Sequence, residues 1–178
     1  DSFCVVPWLQ MSTTTNGGVR LCCRALGHRI KSGNTEVKFS NNKLEDIWNG
    51  DYYRSVREKM FAGERLDECR ACYQEERYGL ESLRKQKNNS NISLLGKYYK
   101  KKLEKGPEEI DLKLGNTCNL RCRMCMPTSS SLLKKQLESM EDSRGFALSD
   151  FYKNNLKASE KAHAWTNKEK VKQNLDAL

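Results

Sequence analysis

Gly115-Asn-Thr-Cys118-Asn-Leu-Arg-Cys122-Arg-Met-Cys125 places three cysteines within eight residues, spaced Cys-x3-Cys-x2-Cys. The residues before it, Ile110-Asp-Leu-Lys-Leu114, alternate apolar and polar as a half-buried strand does. After it, Leu132, Leu133, Gln136, Leu137 and Met140 fall on one stripe of a helix predicted over Ser129–Met140. Strand, cysteine loop and helix form the opening unit of an α/β sheet or barrel. Three sulfurs on one short loop can face a single centre. A structural zinc site needs four protein ligands, and the next histidine, His163, lies 38 residues beyond Cys125 in a polar stretch. A cubane iron–sulfur cluster takes one cysteine per iron, so three cysteines leave one iron open to an outside ligand.

Working outward, the 178 residues carry 32 Lys and Arg against 23 Asp and Glu, a net charge of +9. Leu, Ile, Val and Phe together number 35, close to the composition at which a charged chain stops burying enough surface to fold by apolar packing alone. Something besides a hydrophobic core should help hold it. No apolar run approaches the ~18 residues of a membrane span, and Val5–Leu9 lacks a basic lead-in and a cleavage site. A cytoplasmic protein without membrane segments is expected. In a reducing compartment its eight cysteines are metal ligands rather than disulfides.

Five of those cysteines, Cys4, Cys22, Cys23, Cys69 and Cys72, lie far upstream of the loop. Asn16-Gly17 between apolar-containing runs predicts a hairpin that brings Cys4 near Cys22, with Pro7 confining the first strand to a sheet edge. Asn42 and Glu45 read as a capping box for a short helix carrying Leu44, Ile47 and Trp48. Asp51 opens a second helix, with Tyr52, Val56 and Met60 on one face and Gly63 as its stop. These elements deliver the chain to Cys69-Arg-Ala-Cys72, where Asp67 is placed to cap a helix whose dipole would favour thiolates. A hairpin and a Cys-x2-Cys turn can converge on one metal. Coordination of this kind supplies roughly 10–16 kcal/mol in small zinc domains. Cys22 and Cys23, adjacent on a strand, point to opposite faces, so one of them is excluded. Residues 76–105 hold nine Lys and Arg against three Glu, and Asn88-Asn-Ser-Asn91 should break any helix there. The expected division is a cysteine module over 1–87, a basic linker over 88–107, and an α/β unit over 108–178. Val171, Leu175 and Leu178 predict a final amphipathic helix with nothing to pack on.

The Cys118-x3-Cys122-x2-Cys125 loop after a strand resembles the cluster motif of the radical S-adenosylmethionine superfamily. The resemblance implies that these three cysteines hold a [4Fe–4S] cluster whose open iron is chelated by S-adenosylmethionine, with Asn119 and Met124 of the same loop binding that cofactor. Met124 stands where the family usually has an aromatic residue. The pieces Phe3-Cys4-Val-Val-Pro-Trp8, Gly17-Gly-Val-Arg-Leu-Cys22-Cys23, Leu44-Glu-Asp-Ile-Trp-Asn-Gly50 and Cys69-Arg-Ala-Cys72 resemble, in order, the auxiliary-cluster modules called twitch or SPASM domains. That likeness implies Cys4, Cys22, Cys69 and Cys72 as ligands of an auxiliary cluster and favours Cys22 over Cys23. Zinc competes there, because Cys-x2-Cys with two further cysteines is also a zinc-ribbon pattern.

The fold implied is α/β: the first βα unit of a radical S-adenosylmethionine partial (β/α)6 barrel, preceded by a small α+β cysteine-rich module. The expected partners are S-adenosylmethionine, a reducing electron donor, and a peptide or other small substrate. Only 53 residues follow Cys125, and none resembles the Gly-Gly-Glu-Pro segment of the family's second strand, so the sequence reads as the first part of a longer enzyme, too short to be active alone. Two other classes compete. One is a zinc-stabilised nucleic-acid-binding module using Lys97–Lys105, although such a run is more often a solvated face. The other is a noncatalytic iron–sulfur electron carrier. His28 and His163 read as surface residues, and Ser129, Ser130 and Ser131 as helix caps rather than nucleophiles.

Overall fold

The computed structural model describes residues 2–25, 27–91, 103, 106–144, 149, 153 and 164–178. Most of Lys97–Lys105, and His163, lie outside the described residues. Near the amino terminus the unbroken apolar run forms a short helix, α1 (Val6–Leu9). Pro7 occupies its first turn, where a backbone N–H has no partner to lose. The chain then extends as β1 (Gln10–Thr13), turns at Asn16-Gly17, and returns as β2 (Val19–Arg20), antiparallel, with Ser12 opposite Arg20 and Thr13 opposite Val19. A second small hairpin joins β3 (Lys31–Ser32) to β4 (Thr35–Glu36). The strand expected after Gly106-Pro107 is β5 (Glu109–Asp111), and it pairs in parallel with β1 in the order β2-β1-β5. β1 is therefore central. The expectation that Pro7 would hold the first strand at an edge is corrected: helix α1 absorbs the proline before the strand begins.

Two helices follow the hairpins, α2 (Leu44–Trp48) and α3 (Asp51–Phe61), joined through Gly50. Leu44, Ile47, Trp48, Tyr53, Val56 and Met60 are buried on their inner faces. Tyr52, which the four-residue spacing selected, is only half-buried; Tyr53 beside it is fully enclosed. Arg57 is also fully buried, its guanidinium 4.6 Å from the Trp48 ring centroid and 5.3 Å from that of Tyr53, while Nε donates to the Pro7 carbonyl at 3.0 Å. Aromatic contacts delocalise the cost of enclosing that charge. Phe3, Trp8 and Phe61 pack as a second aromatic group, with Trp8 5.0 Å from Phe61.

Beyond a 3-10 turn at Asp67–Cys69 come α4 (Arg70–Arg77) and α5 (Leu83–Ser90), the latter capped by Ser82, whose hydroxyl accepts from the Lys85 amide. The Asn88-Asn-Ser segment does not break this helix. Asn88 instead faces the amino-terminal strand, accepting from Val5 N at 2.8 Å and donating to Phe3 O at 2.9 Å. Long-range bonds outweigh the weak local preference of asparagine against helix.

After the Cys118 loop, a 3-10 turn at Pro127–Ser129 leads into α6 (Ser131–Arg144), started by Ser130, whose hydroxyl accepts from Leu133 N. The last element, α7 (Glu169–Asp176), is not left unpacked as its sequence implied. Val171 is buried, and Trp165 ahead of it lies against the first hairpin, donating from Nε1 to Thr15 O at 3.0 Å. Asn174 accepts from Leu44 N and donates to Phe39 O and Asn42 O, each at 2.9 Å. This corrects the capping box: the α2 amino terminus, preceded by Lys43, is capped by Asn174 from 130 residues away, and Asn42 bonds Lys38 O instead. Among the described residues, no helix is long and apolar enough to cross a membrane.

Candidate metal centre

Four of the five upstream cysteines come together. Cys4, just before α1, Cys22, just past β2, and Cys69 and Cys72, at the start of α4, line one small cavity of about 20 Å3. Leu21, Met60, Leu83 and Pro7 give it apolar walls; Glu68, Arg24 and Arg84 bring charge to it. Cys4 and Cys72 are buried, and Cys22 and Cys69 half-buried. All eight cysteines of the chain are free thiols. The hairpin explains the first half of the convergence, since the Asn16-Gly17 reversal returns the chain beside its own start. The α2–α3 pair explains the second, because α3 runs back to the module and hands the chain to Cys69.

Cys23 is half-buried and does not line the cavity. The selection of Cys22 has a different cause from strand alternation: β2 ends at Arg20, and both cysteines sit in the following turn, where Ala25 N donates to Cys22 O at 3.2 Å.

Burial dominates the electrostatics of the thiols. It pushes Cys4 well above a thiol's usual range, with the Val6 amide partly offsetting it and Cys69, Cys22 and Cys72 adding to it. Burial likewise raises Cys22, against the Arg24 and Ala25 amides, and pushes Cys69 up to about 12, with Cys22, Glu68 and Cys72 contributing. The sulfurs thus sense one another across the cavity. The expected helix-dipole effect at Cys69 does not prevail: Cys69 itself precedes α4, Asp67 faces His28 Nε2 at 3.4 Å, and enclosure sets the thiol's preference. Without a metal, burial holds Cys4, Cys22 and Cys69 as neutral thiols. Positive charge replacing their protons would turn that mutual repulsion into attraction.

Around the cavity, the Tyr52 hydroxyl donates to Glu68 Oε1 at 3.0 Å. Arg24 pairs with Glu75, and Arg84 with Glu76. None of these six charged or hydroxyl groups stood out in the sequence as site residues. For Arg84 the one available signal was a lone apolar Leu83 and an arginine following an N-cap serine.

The downstream loop is built differently. Cys118 and Cys125 are half-buried and Cys122 exposed, as is Asn119; Met124 is 93% exposed. Ser130 and Ser131 at the start of α6 staple the loop: Ser131 Oγ accepts from Cys118 N at 3.3 Å, Ser131 N donates to Asn116 O at 2.7 Å, and Ser130 Oγ donates to Leu120 O at 3.3 Å. Leu120 N donates to Cys118 Sγ at 3.4 Å, and Cys125 N to Cys122 O at 3.0 Å. Strand, loop and helix therefore follow the expected order. The strand's parallel neighbour is β1 of the cysteine module rather than a further barrel strand. Among the described residues, no three His, Cys, Asp or Glu side chains, in either place, are drawn close enough to hold a single metal ion.

With this geometry in view, the comparison with known families is specific. Residues 4–73 match the family model of SPASM, an iron-sulfur cluster-binding domain. The match runs from the first cavity cysteine to the residue after the last one. It bears out the SPASM-like reading of the upstream cysteines and, with it, iron–sulfur binding in this part of the chain; it stops short of the Cys118 loop. No curated protein and no solved structure matches the chain.

Proposed function

We propose that the chain is an iron–sulfur protein of the radical S-adenosylmethionine kind, holding an auxiliary cluster through Cys4, Cys22, Cys69 and Cys72 and a [4Fe–4S] cluster through Cys118, Cys122 and Cys125. The observation that carries the reading is the convergence of four thiols on one cavity within the stretch that matches an iron–sulfur domain. The donor set fits the group. Four cysteines lining one apolar pocket suit a polynuclear cluster, one cysteine per iron. One zinc would need all four sulfurs about 2.3 Å from a single point. Apolar walls and amides aimed at Cys4 and Cys22 match what tunes and protects such clusters.

At the second loop, three cysteines leave one coordination position for S-adenosylmethionine, and the exposed Met124 and Asn119 flank it. A cluster held by Cys118, Cys122 and Cys125 would supply the electron for cleaving S-adenosylmethionine. The residues of this chain present the loop: Ser130 and Ser131 fix its first half, from Asn116 to Leu120, to the start of α6, and β5 ties its approach to β1. The remaining partners are an electron donor and a peptide or small-molecule substrate, in the reducing conditions of the cytoplasm.

Anaerobic reconstitution followed by electron paramagnetic resonance tests the reading. Adding S-adenosylmethionine should alter the reduced-cluster signal, and changing Cys118, Cys122 and Cys125 together to Ala should abolish that response while leaving the second signal. A signal indifferent to S-adenosylmethionine in the unmodified chain overturns the second site and leaves an electron carrier.

A further inference from the structure

The matched residues end at 73, yet the cavity does not: Leu83 and Arg84 of α5 complete its wall. Arg84 is 5% exposed. Its Nη1 donates to the Phe3 carbonyl at 2.7 Å, immediately before Cys4, and its Nε donates to Glu76 Oε1 at 2.9 Å. Four residues on, Asn88 bonds both Val5 N and Phe3 O, so one face of α5 grips the backbone on either side of Cys4. An Arg–Glu pair in a half-apolar setting is expensive to bury unless it does something a packed apolar pair would not. Of the pair, it is Arg84 that belongs to the cavity wall, not Glu76.

We propose that α5 is a working part of the cluster chamber, with Arg84 a positioning residue that presents positive charge to the Cys4 side of the cluster and Glu76 the counter-charge that moderates it. This rests on the reading of the cavity as a cluster site. A cluster ligated by four thiolates is anionic, and one-electron reduction makes it more so. A guanidinium at the wall stabilises the reduced state more than the oxidised one and raises the reduction potential; net charge and hydrogen bonding near the sulfurs are the levers by which proteins set that potential.

The test uses the full chain with Cys118, Cys122 and Cys125 changed to Ala, so that only the first site carries a cluster, and reads the midpoint potential by redox titration with electron paramagnetic resonance. Arg84→Gln should shift the potential negative and Glu76→Gln should shift it positive, with Arg84→Lys close to the parent. Opposite signs from two neighbouring substitutions are not produced by loosened packing, which would move both the same way. Unchanged potentials, or shifts of the same sign, overturn the proposal while the cluster assignment stands. If Arg84→Gln fails to retain iron, Glu76→Gln against Arg84→Lys decides alone: a positive shift in the first with none in the second supports it, and no difference between them overturns it. A parent chain without iron removes the cluster reading itself.

Discussion

Replacing Asn174 by Ala removes two buried hydrogen bonds and one half-buried one at once. Asn174 is 3% exposed, and its amide satisfies the Leu44 N–H at the start of α2 and the carbonyls of Phe39 and Asn42. Losing a helix cap costs about 1 kcal/mol. Leaving further buried backbone groups unsatisfied costs about 1–3 kcal/mol more, because they lie under α7 where water does not replace the amide. The expected loss is about 2–4 kcal/mol. For a chain of this length that lowers the thermal midpoint by roughly 5–15 °C. Asn174→Asp should not rescue it, since a carboxylate still accepts from Leu44 N but faces two carbonyl oxygens it cannot donate to. Gln173→Ala, one residue away on the exposed face, should stay within about 0.5 kcal/mol of the parent. Urea denaturation of the metal-free chain gives the three values. A loss below about 0.5 kcal/mol for Asn174→Ala would refute the docking of α7 on the amino-terminal module, and with it the cap.

Gly17→Ala should cost about 1–3 kcal/mol and expose a tryptophan to solvent: Gly17 has φ +77°, and an added Cβ would lie 2.8 Å from the Trp165 ring, so the turn is strained and α7's anchor displaced together. Denaturation and tryptophan quenching read both effects. The metal-free protein should lose stability on the alkaline side. Cys4, Cys22 and Cys69 are raised above their ordinary value of 9.0, Cys69 to about 12, so the fold favours their protonated form; that contribution is whole below pH 9 and is lost as pH climbs through the raised values. In the loaded protein the thiolates already exist, and the slope between pH 9 and 11 should flatten; equal slopes with and without metal would contradict the burial of these thiols beneath the ligand.

The local grammar of the chain was readable where a single short segment decides the outcome. Asn16-Gly17 dictates its hairpin because few residues accept positive φ, and Leu44, Ile47 and Trp48 mark a short helix by spacing alone. The cavity cysteines were readable because thiols in a core this thin have few other uses. What escaped were residues whose role depends on a distant partner. Asn88 reads as a helix breaker and Asn174 as an ordinary position in the last helix, yet each meets backbone groups more than 80 residues away. Pro7 reads as a strand-edge residue until α1 takes it into its first turn. Arg57 carries no signal in the sequence, and the aromatic pair Trp48 and Tyr53 with the Pro7 carbonyl explains its enclosure. Tertiary contacts decide the outcome at all four positions.

Metal and acid-labile sulfide analysis of the anaerobically purified chain, with Cys118, Cys122 and Cys125 changed to Ala, addresses the cavity directly. Iron and sulfide in matching amounts, lost when Cys69 and Cys72 are also changed to Ala, is the result predicted for four sulfurs around one cluster. Stoichiometric zinc with no sulfide, or iron that survives the removal of Cys69 and Cys72, would contradict it.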